Sequence, residues 1–426
     1  MVEIAITGTG IVSALGTDTV EFHNRMLAGE TAIKASPWAG EVEGRDAWQA
    51  TVEDFNPADW MDRRIEDGTD LFAQFSLAAA EQAVRQAGIG ELDPLRTAVV
   101  NGTSIGGVRA VMKAQYALDT QGLDAVPRKT MIQIWPNMAA AQIAMRYGLH
   151  GPSLTVTTAC ASSLDAIGTA ARLIERGEAD VAITGGTEGG ISLAGGGRDG
   201  DFVPVLFYTA NVYGMEAPAP DPNRAMLPFD VKRSGIVVGE GSGMLVLERA
   251  EHARARGATI LGYLRGYGSL ADGFHPSSPE PSGKWEARAM ELALADAHMA
   301  AGEIGALIAH ATGTPKGDTA EIRAINLVHG GNVHGGNVHG GGGLPVASIK
   351  GHIGHSGASS GAMAMITGLL GMAEDRFTYI ANTDEPDPEA EFDIVHGDAR
   401  EMKYRSLQVN SFGFGGQNAS VVLTRD

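Results

Sequence analysis

The chain has 426 residues, of which 44% are hydrophobic and 19% charged, an ordinary globular composition that fits two domains or one large duplicated body. Its formal net charge of −19 argues against nucleic acid and anionic membrane as partners. A single cysteine excludes an intrachain disulfide and fits a reducing compartment. The opening MVEIAITGTG lacks a basic leader, and the apolar run near Ala362 to Ala373 is too short to span a bilayer, so a cytoplasmic protein is expected.

Short apolar runs alternate with Ala-rich helical stretches, the pattern of an α/β fold. Strands are expected at Glu3–Thr7, Thr97–Val100, Leu154–Thr157, Val181–Thr184 and Gly243–Leu247, with helices at Ser76–Gln86 and Leu164–Arg176. Arg249–Gly257 reads as a short connection, after which Ile260–Tyr267 opens a second series. That divides the chain into an N-terminal half, 1–255, and a C-terminal half, 256–426. One unit recurs in both: an apolar strand runs into a reactive residue, and a helix of small residues follows. In the first half it is Leu154-Thr-Val-Thr-Thr-Ala-Cys160-Ala-Ser-Ser; in the second it is Leu344 to Lys350, His355 and Ser356–Leu370. The correspondence points to duplication, with one half supplying a nucleophile and the other its bases.

Between a helical segment and the strand before Lys350 lies a repeat, His329-Gly-Gly-Asn-Val-His334-Gly-Gly-Asn-Val-His339. Its histidines recur every five residues, which matches no helix face or common zinc spacing. A solvated loop is expected there from His329 to Gly343, and no metal site.

The chemistry concentrates at strand ends. Cys160 ends an apolar strand and begins a helix, where the positive helix end is expected to lower the thiol pKa. A buried, inert thiol is an equal reading on position alone. His310 follows the apolar run Ile304–Ala309, and Lys350, His352 and His355 sit together in SIKGHIGH. Each histidine alone reads equally well as a hydrogen-bonded core residue; three separate strand-end sites together favour an active centre. Spacing does not choose between His352 and His355. Near the C-terminus, NSFGFGGQN around Phe412 and Phe414 lets backbone N–H groups approach a ligand, or makes a tight turn.

Those segments resemble a known family. TACASS at Cys160, HATGTPKGD at His310, SIKGHIGH at Lys350–His355 and NSFGFGGQN at Phe412 are similar to the elongating β-ketoacyl-acyl-carrier-protein synthases, and the likeness runs nearly end to end. The resemblance implies an α/β thiolase-like fold, two duplicated halves in a five-layered αβαβα arrangement. It implies that Cys160 takes an acyl chain as a thioester, while His310 and His355 serve decarboxylation of malonyl-carrier and condensation. The lysine-glycine-histidine register makes His355, not His352, the catalytic one. Lys350 paired with Glu321 would fix the histidines, and N–H groups of Cys160 and Phe412 would form the oxyanion hole. Thr312 and Thr314 would bind the pantetheine amides. Phe412 would gate an acyl pocket near Ile105, with Phe414 and Ser277 also in substrate contact. No cofactor is held permanently; phosphopantetheine arrives on the acyl carrier protein.

The departures concern the partner. Acids at Glu66 and Asp67 and the neutral Ala210 stand where relatives often carry basic docking residues, leaving Arg63, Arg64, Arg128 and Lys129 for carrier docking. Gln417 replaces a usual threonine. A homodimer, or a heterodimer with a homologous ketosynthase-like subunit, is expected. Two other classes are disfavoured. A non-catalytic chain-length subunit usually lacks the active cysteine, and a CoA-dependent thiolase-like or initiating enzyme would keep a Cys-His-Asn set or a second cysteine.

Overall fold

A computed structural model describes residues 2–38, 47–189, 205, 209–210, 214–330 and 343–426. Residues 331–342 of the repeat, with His334 and His339, lie outside the described residues, as do Tyr208 and Asn211.

Eleven strands form one sheet. In chain order they are β1 (Ile4–Ser13), β2 (Thr97–Gly102), β3 (Ser153–Val156), β4 (Val181–Glu188), β5 (Gly241–Arg249), β6 (Gly262–Ala271), β7 (Ala306–Ile308), β8 (Pro345–Ala347), β9 (Asp393–Ile394), β10 (Ser406–Gly413) and β11 (Gln417–Thr424). Their spatial order is β9-β8-β7-β10-β11-β6-β1-β5-β4-β2-β3. Read outward from the centre, the first half runs first, fifth, fourth, second, third; the second half repeats that order, with β9 added at its edge. The pairing directions repeat as well. β1–β5 and β5–β4 are antiparallel and β4–β2 and β2–β3 parallel, matched by β6–β11, β11–β10, β10–β7 and β7–β8. Ile4–Ile6 of β1 opposite Gly262–Leu264 of β6 joins the halves.

Five helices complete the layers: α1 (Leu71–Ala87), α2 (Ser162–Glu175), α3 (Lys284–Ala297), α4 (Pro315–His329) and α5 (Ser360–Glu374). Helix α1 covers the outer face of the first half, and α3, backed by α4, covers that of the second. Between the two halves, α2 and α5 pack on each other and on strands of both. This gives the αβαβα sandwich. With both faces covered, β1, β2 and β4 are buried at every residue, their threonines and glycines included. Helix α1 starts on Asp70, which accepts from Leu71 N, and stops at Gly88 in the left-handed region with φ 61°. Arg249–Gly257 is more than a connection, since Ala250–Ala255 is helical.

The duplication sets the site. β3 leads through Cys160 into α2, and β8 leads through Lys350 and His355 into α5, so the nucleophile and the second base occupy equivalent positions of the two halves. His310 follows β7, the counterpart of β2.

Candidate active site

Cys160 does not open the helix directly. β3 ends at Val156, and α2 begins at Ser162. The turn between them holds Ala159 at φ 51°, a left-handed conformation costly for a residue with a Cβ. Thr158 N donates to Ser162 Oγ at 2.9 Å, Ser162 Oγ donates to Ala159 O at 2.5 Å, and Thr158 Oγ1 donates to Asp165 Oδ2 at 2.5 Å. Ser411 of β10 donates to Cys160 O at 2.8 Å. The nucleophile turn is thereby held from both halves.

The bases meet the thiol from the other half. His355 Nε2 lies 3.1 Å from Cys160 Sγ, and its Nδ1 lies 3.2 Å from Ser360 Oγ. The His310 ring packs edge-on to His355, centroids 5.3 Å apart. Lys350 Nζ donates to His310 O and lies 3.3 Å from His310 Nδ1. His310 also precedes a strained residue, Ala311 at φ 34°. His352 points elsewhere, with Nδ1 3.0 Å from Glu30 O and Nε2 3.2 Å from Tyr379 O. Geometry therefore separates two histidines that spacing could not.

Electrostatics at the centre follow burial. Burial pushes the Cys160 thiol up to about 11, against the lowering pull of the Lys350 ammonium, and the Glu188 carboxylate pushes it further up. The expected lowering by the helix end is overturned, because desolvation of a thiolate outweighs a helix end two residues away. Burial holds His310 and His355 well below the usual histidine range, and the Lys350 cation adds to it in both. Burial draws Lys350 down to about 8, while Glu321, Cys160 and Asp318 pull the other way. The resting site is a neutral thiol, two neutral imidazoles and a weakened ammonium.

Several expected residues are placed differently. Lys350 and Glu321 do not form a direct ion pair; the Glu321 carboxylate instead accepts from His310 N at 2.8 Å and Ala311 N at 2.6 Å, bracing the strained turn. Phe412 is buried in β10 opposite Asn418, its ring 5.9 Å from that of His310. Its place in the β10–β11 ladder removes it from the role of second N–H donor and mobile gate. The backbone N–H of Phe414, beyond Phe412 in the chain, reaches Cys160 Sγ together with Cys160's own N–H. Gly415 and Gly416, at φ 81° and 70°, make the turn that allows it, and Phe414 is 50% exposed. His329 is not in a solvated loop. It is the last residue of α4, buried, with Nε2 2.9 Å from Gln408 Oε1.

Thr312 and Thr314 share a 2.9 Å hydroxyl contact at the start of α4, which Thr314 caps through Gly317 N. Ser277 is exposed, next to Pro276, whose carbonyl accepts from Gly415 N at 2.8 Å beside the Phe414 turn. Ile105 is half-buried and donates its N–H to Glu188 Oε1 at 3.3 Å. Arg63 and Arg64 are exposed on the short helix Arg63–Glu66, and Lys129 Nζ donates to Arg64 O at 3.4 Å, so these two and the exposed Arg128 share one surface. Ala210, where a docking cation is usual, is buried. Glu188 went unnoticed in the sequence, although a carboxylate ending an apolar strand was a visible signal. Donor atoms of Cys160, His310 and His355 lie within 4.8 Å of one another, a set that could ligate a soft metal ion; the adjoining Lys350 ammonium opposes a second cation there. No helix among the described residues is long and apolar enough to cross a membrane.

Comparison with known proteins matches this arrangement. The profile "Beta-ketoacyl synthase, N-terminal domain" covers residues 1–253, and "Beta-ketoacyl synthase, C-terminal domain" covers 261–384. The chain is 34% identical over 428 residues to 3-oxoacyl-[acyl-carrier-protein] synthase 2 of Coxiella burnetii, spanning 99% of this chain and 98% of the relative. Two solved structures each superpose on 100% of this chain and 99% of their own with a TM-score of 0.87. One is the ishigamide ketosynthase/chain length factor, at 30% identity. The other is a type II PKS acyl-carrier protein in complex with its ketosynthase bound to the hexaketide, at 25% identity. Both family domains are present in chain order on the shared fold, and this protein belongs to the β-ketoacyl synthase family of acyl-transferring condensing enzymes.

Proposed function

We propose that Cys160 accepts an acyl group from an acyl carrier protein and that the site then condenses it with malonyl-carrier. The observation that carries this reading is the 3.1 Å approach of His355 Nε2 to Cys160 Sγ. A thiol at about 11 is almost wholly protonated at neutral pH, so attack needs a base in contact to take the proton. The sulfur attacks the carrier thioester carbonyl, the proton passes through His355 to the departing pantetheine thiol, and an S-acyl enzyme remains. The N–H groups of Cys160 and Phe414 would hold the carbonyl oxygen as it gains charge. Malonyl-carrier then loses CO2. His310 and His355, side by side, would stabilise the enolate oxygen; the carbanion attacks the Cys160 thioester and releases the thiol, giving a β-ketoacyl-carrier two carbons longer. Lys350 and Glu321 position the His310 turn. Thr312 and Thr314 supply hydroxyls for the pantetheine amides, and no permanently bound cofactor is needed.

For the carrier, the basic surface of Arg63, Arg64, Arg128 and Lys129 is the proposed landing site on an otherwise acidic protein. A second chain, identical or homologous, is the proposed cover for the β3 edge. Among the described residues that strand is paired only on its β2 side, exposes Leu154, and is accompanied by exposed Met131, Ile132, Trp135 and Met145 on preceding helices and turns. Incubation with acyl-carrier and malonyl-carrier tests the reading. We expect a β-ketoacyl-carrier two carbons longer and one CO2 per turnover; transfer without carbon–carbon bond formation would overturn it.

A further inference from the structure

Glu188 ends β4 with only 1% of its surface exposed. Five donors converge on its carboxylate. Thr103 Oγ1 at 3.2 Å and Ile105 N at 3.3 Å donate to Oε1. Ser104 N at 3.1 Å, the Ser104 hydroxyl and Ala358 N at 3.2 Å donate to Oε2. Thr103–Ile105 follows β2 in the first half, whereas Ala358 lies three residues beyond His355 in the second. One carboxylate thus ties a loop of the nucleophile's half to the segment carrying the base. The approach is close: a Cβ on Gly357, at φ 57°, would come 2.9 Å from Glu188 Oε2.

No step of the condensation uses this group, yet its charge is felt at Cys160 Sγ. We propose that Glu188 is a positioning residue that locks the Thr103–Ile105 loop to the His355 segment and so sets His355 against Cys160. The proposal rests on the reading of Cys160 as the acylated nucleophile. It makes a chemical demand that glutamine cannot meet. Each oxygen of Glu188 accepts from a backbone N–H, and an amide presents one oxygen and one NH2, so either the Ile105 end or the Ser104–Ala358 end must meet donor with donor.

The experiment compares wild type with Glu188→Gln in two readouts, the rate of thioester formation from a small acyl thioester and the pH profile of Cys160 alkylation by iodoacetamide. We expect acylation to slow roughly tenfold or more, since small misplacements of reacting groups are costly. The alkylation profile should move to lower pH, because a negative neighbour that opposes the thiolate has been removed; a purely structural loss would not move it that way. Should Glu188→Gln fail to fold, Thr103→Val with Ser104→Ala keeps the carboxylate but withdraws two donors, and slowing by severalfold is expected. Folded Glu188→Gln protein with both readouts unchanged would overturn the proposal, as would wild-type rates in the double variant. Absence of any adduct on the wild-type protein would overturn the acylation reading and the proposal with it.

Discussion

His355 and Cys160 meet across the boundary between the two halves of the chain, Nε2 3.1 Å from Sγ. Neither residue is activated alone: burial pushes the thiol up to about 11 and holds the imidazole well below its usual range. Reactivity at neutral pH therefore belongs to the pair. Replacing His355 by Ala should lower condensation by roughly two orders of magnitude or more, the usual loss for a general acid–base group. Product formation measured beside iodoacetamide alkylation checks this, and both should fall together. Replacing His310 by Ala should lower condensation similarly while self-acylation largely survives, since His355 is the histidine in hydrogen-bond reach of the sulfur and His310 packs against His355 and Lys350.

Lys350 controls the acid limb of activity. Burial depresses both histidines, and its ammonium depresses them further. Lys350→Met removes that cation, so His310 and His355 should take up protons at higher pH than in wild type. Condensation should then begin to fail at a higher pH as the solution is acidified, besides being slower throughout. A pH–rate profile whose acid limb stays in place would contradict the electrostatic role.

Carrier docking should depend on the surface near Arg64. Reversal of Arg128 and Lys129 to Glu is expected to slow acyl transfer from carrier by roughly tenfold, several weak exposed pairs being lost at once. Acylation by an N-acetylcysteamine thioester should be unaffected, and added salt should narrow the difference between the two proteins on carrier substrate. Equal transfer from carrier by both proteins would remove the patch from the reading.

The middle layer offers a stability test. Gly168 of α2 packs so closely on Tyr267 that a Cβ would come 2.4 Å from the ring, and Tyr267 Oη donates to Asp165 Oδ1 at 2.7 Å. Alanine ordinarily gains about 1 kcal/mol over glycine inside a helix. Here overpacking should reverse the sign, and Gly168→Ala is expected to destabilise by about 1–3 kcal/mol, read as a lower urea midpoint.

The strand-to-helix units were legible because short apolar runs mark their strands and small residues mark the close contacts of the helices that follow. Boundaries came out short. β1 continues to Ser13 and β4 to Glu188, since polar residues such as Thr9 and Thr187 pair within the ladder and do not interrupt it. What could not be read were contacts between elements distant in the chain and the ends of those elements. The family resemblance placed Lys350 beside Glu321, but the carboxylate is occupied by the His310 and Ala311 N–H groups. The resemblance favoured Phe412 over Phe414, and nothing in NSFGFGGQN marks where the ladder stops and the turn begins. The repeat pattern put His329 in a loop, though α4 runs on to include it. The thiol pKa was misjudged for the same reason: a helix end is visible in sequence, and the depth of burial is not.

Intact-mass measurement after incubation with acyl-carrier tests the central claim most directly. One thioester-linked acyl group per chain, mapped to the Cys160 peptide, released by hydroxylamine and missing in Cys160→Ala, is the expected result. An acyl adduct that persists in Cys160→Ala would place the nucleophile elsewhere and contradict the assignment of the site.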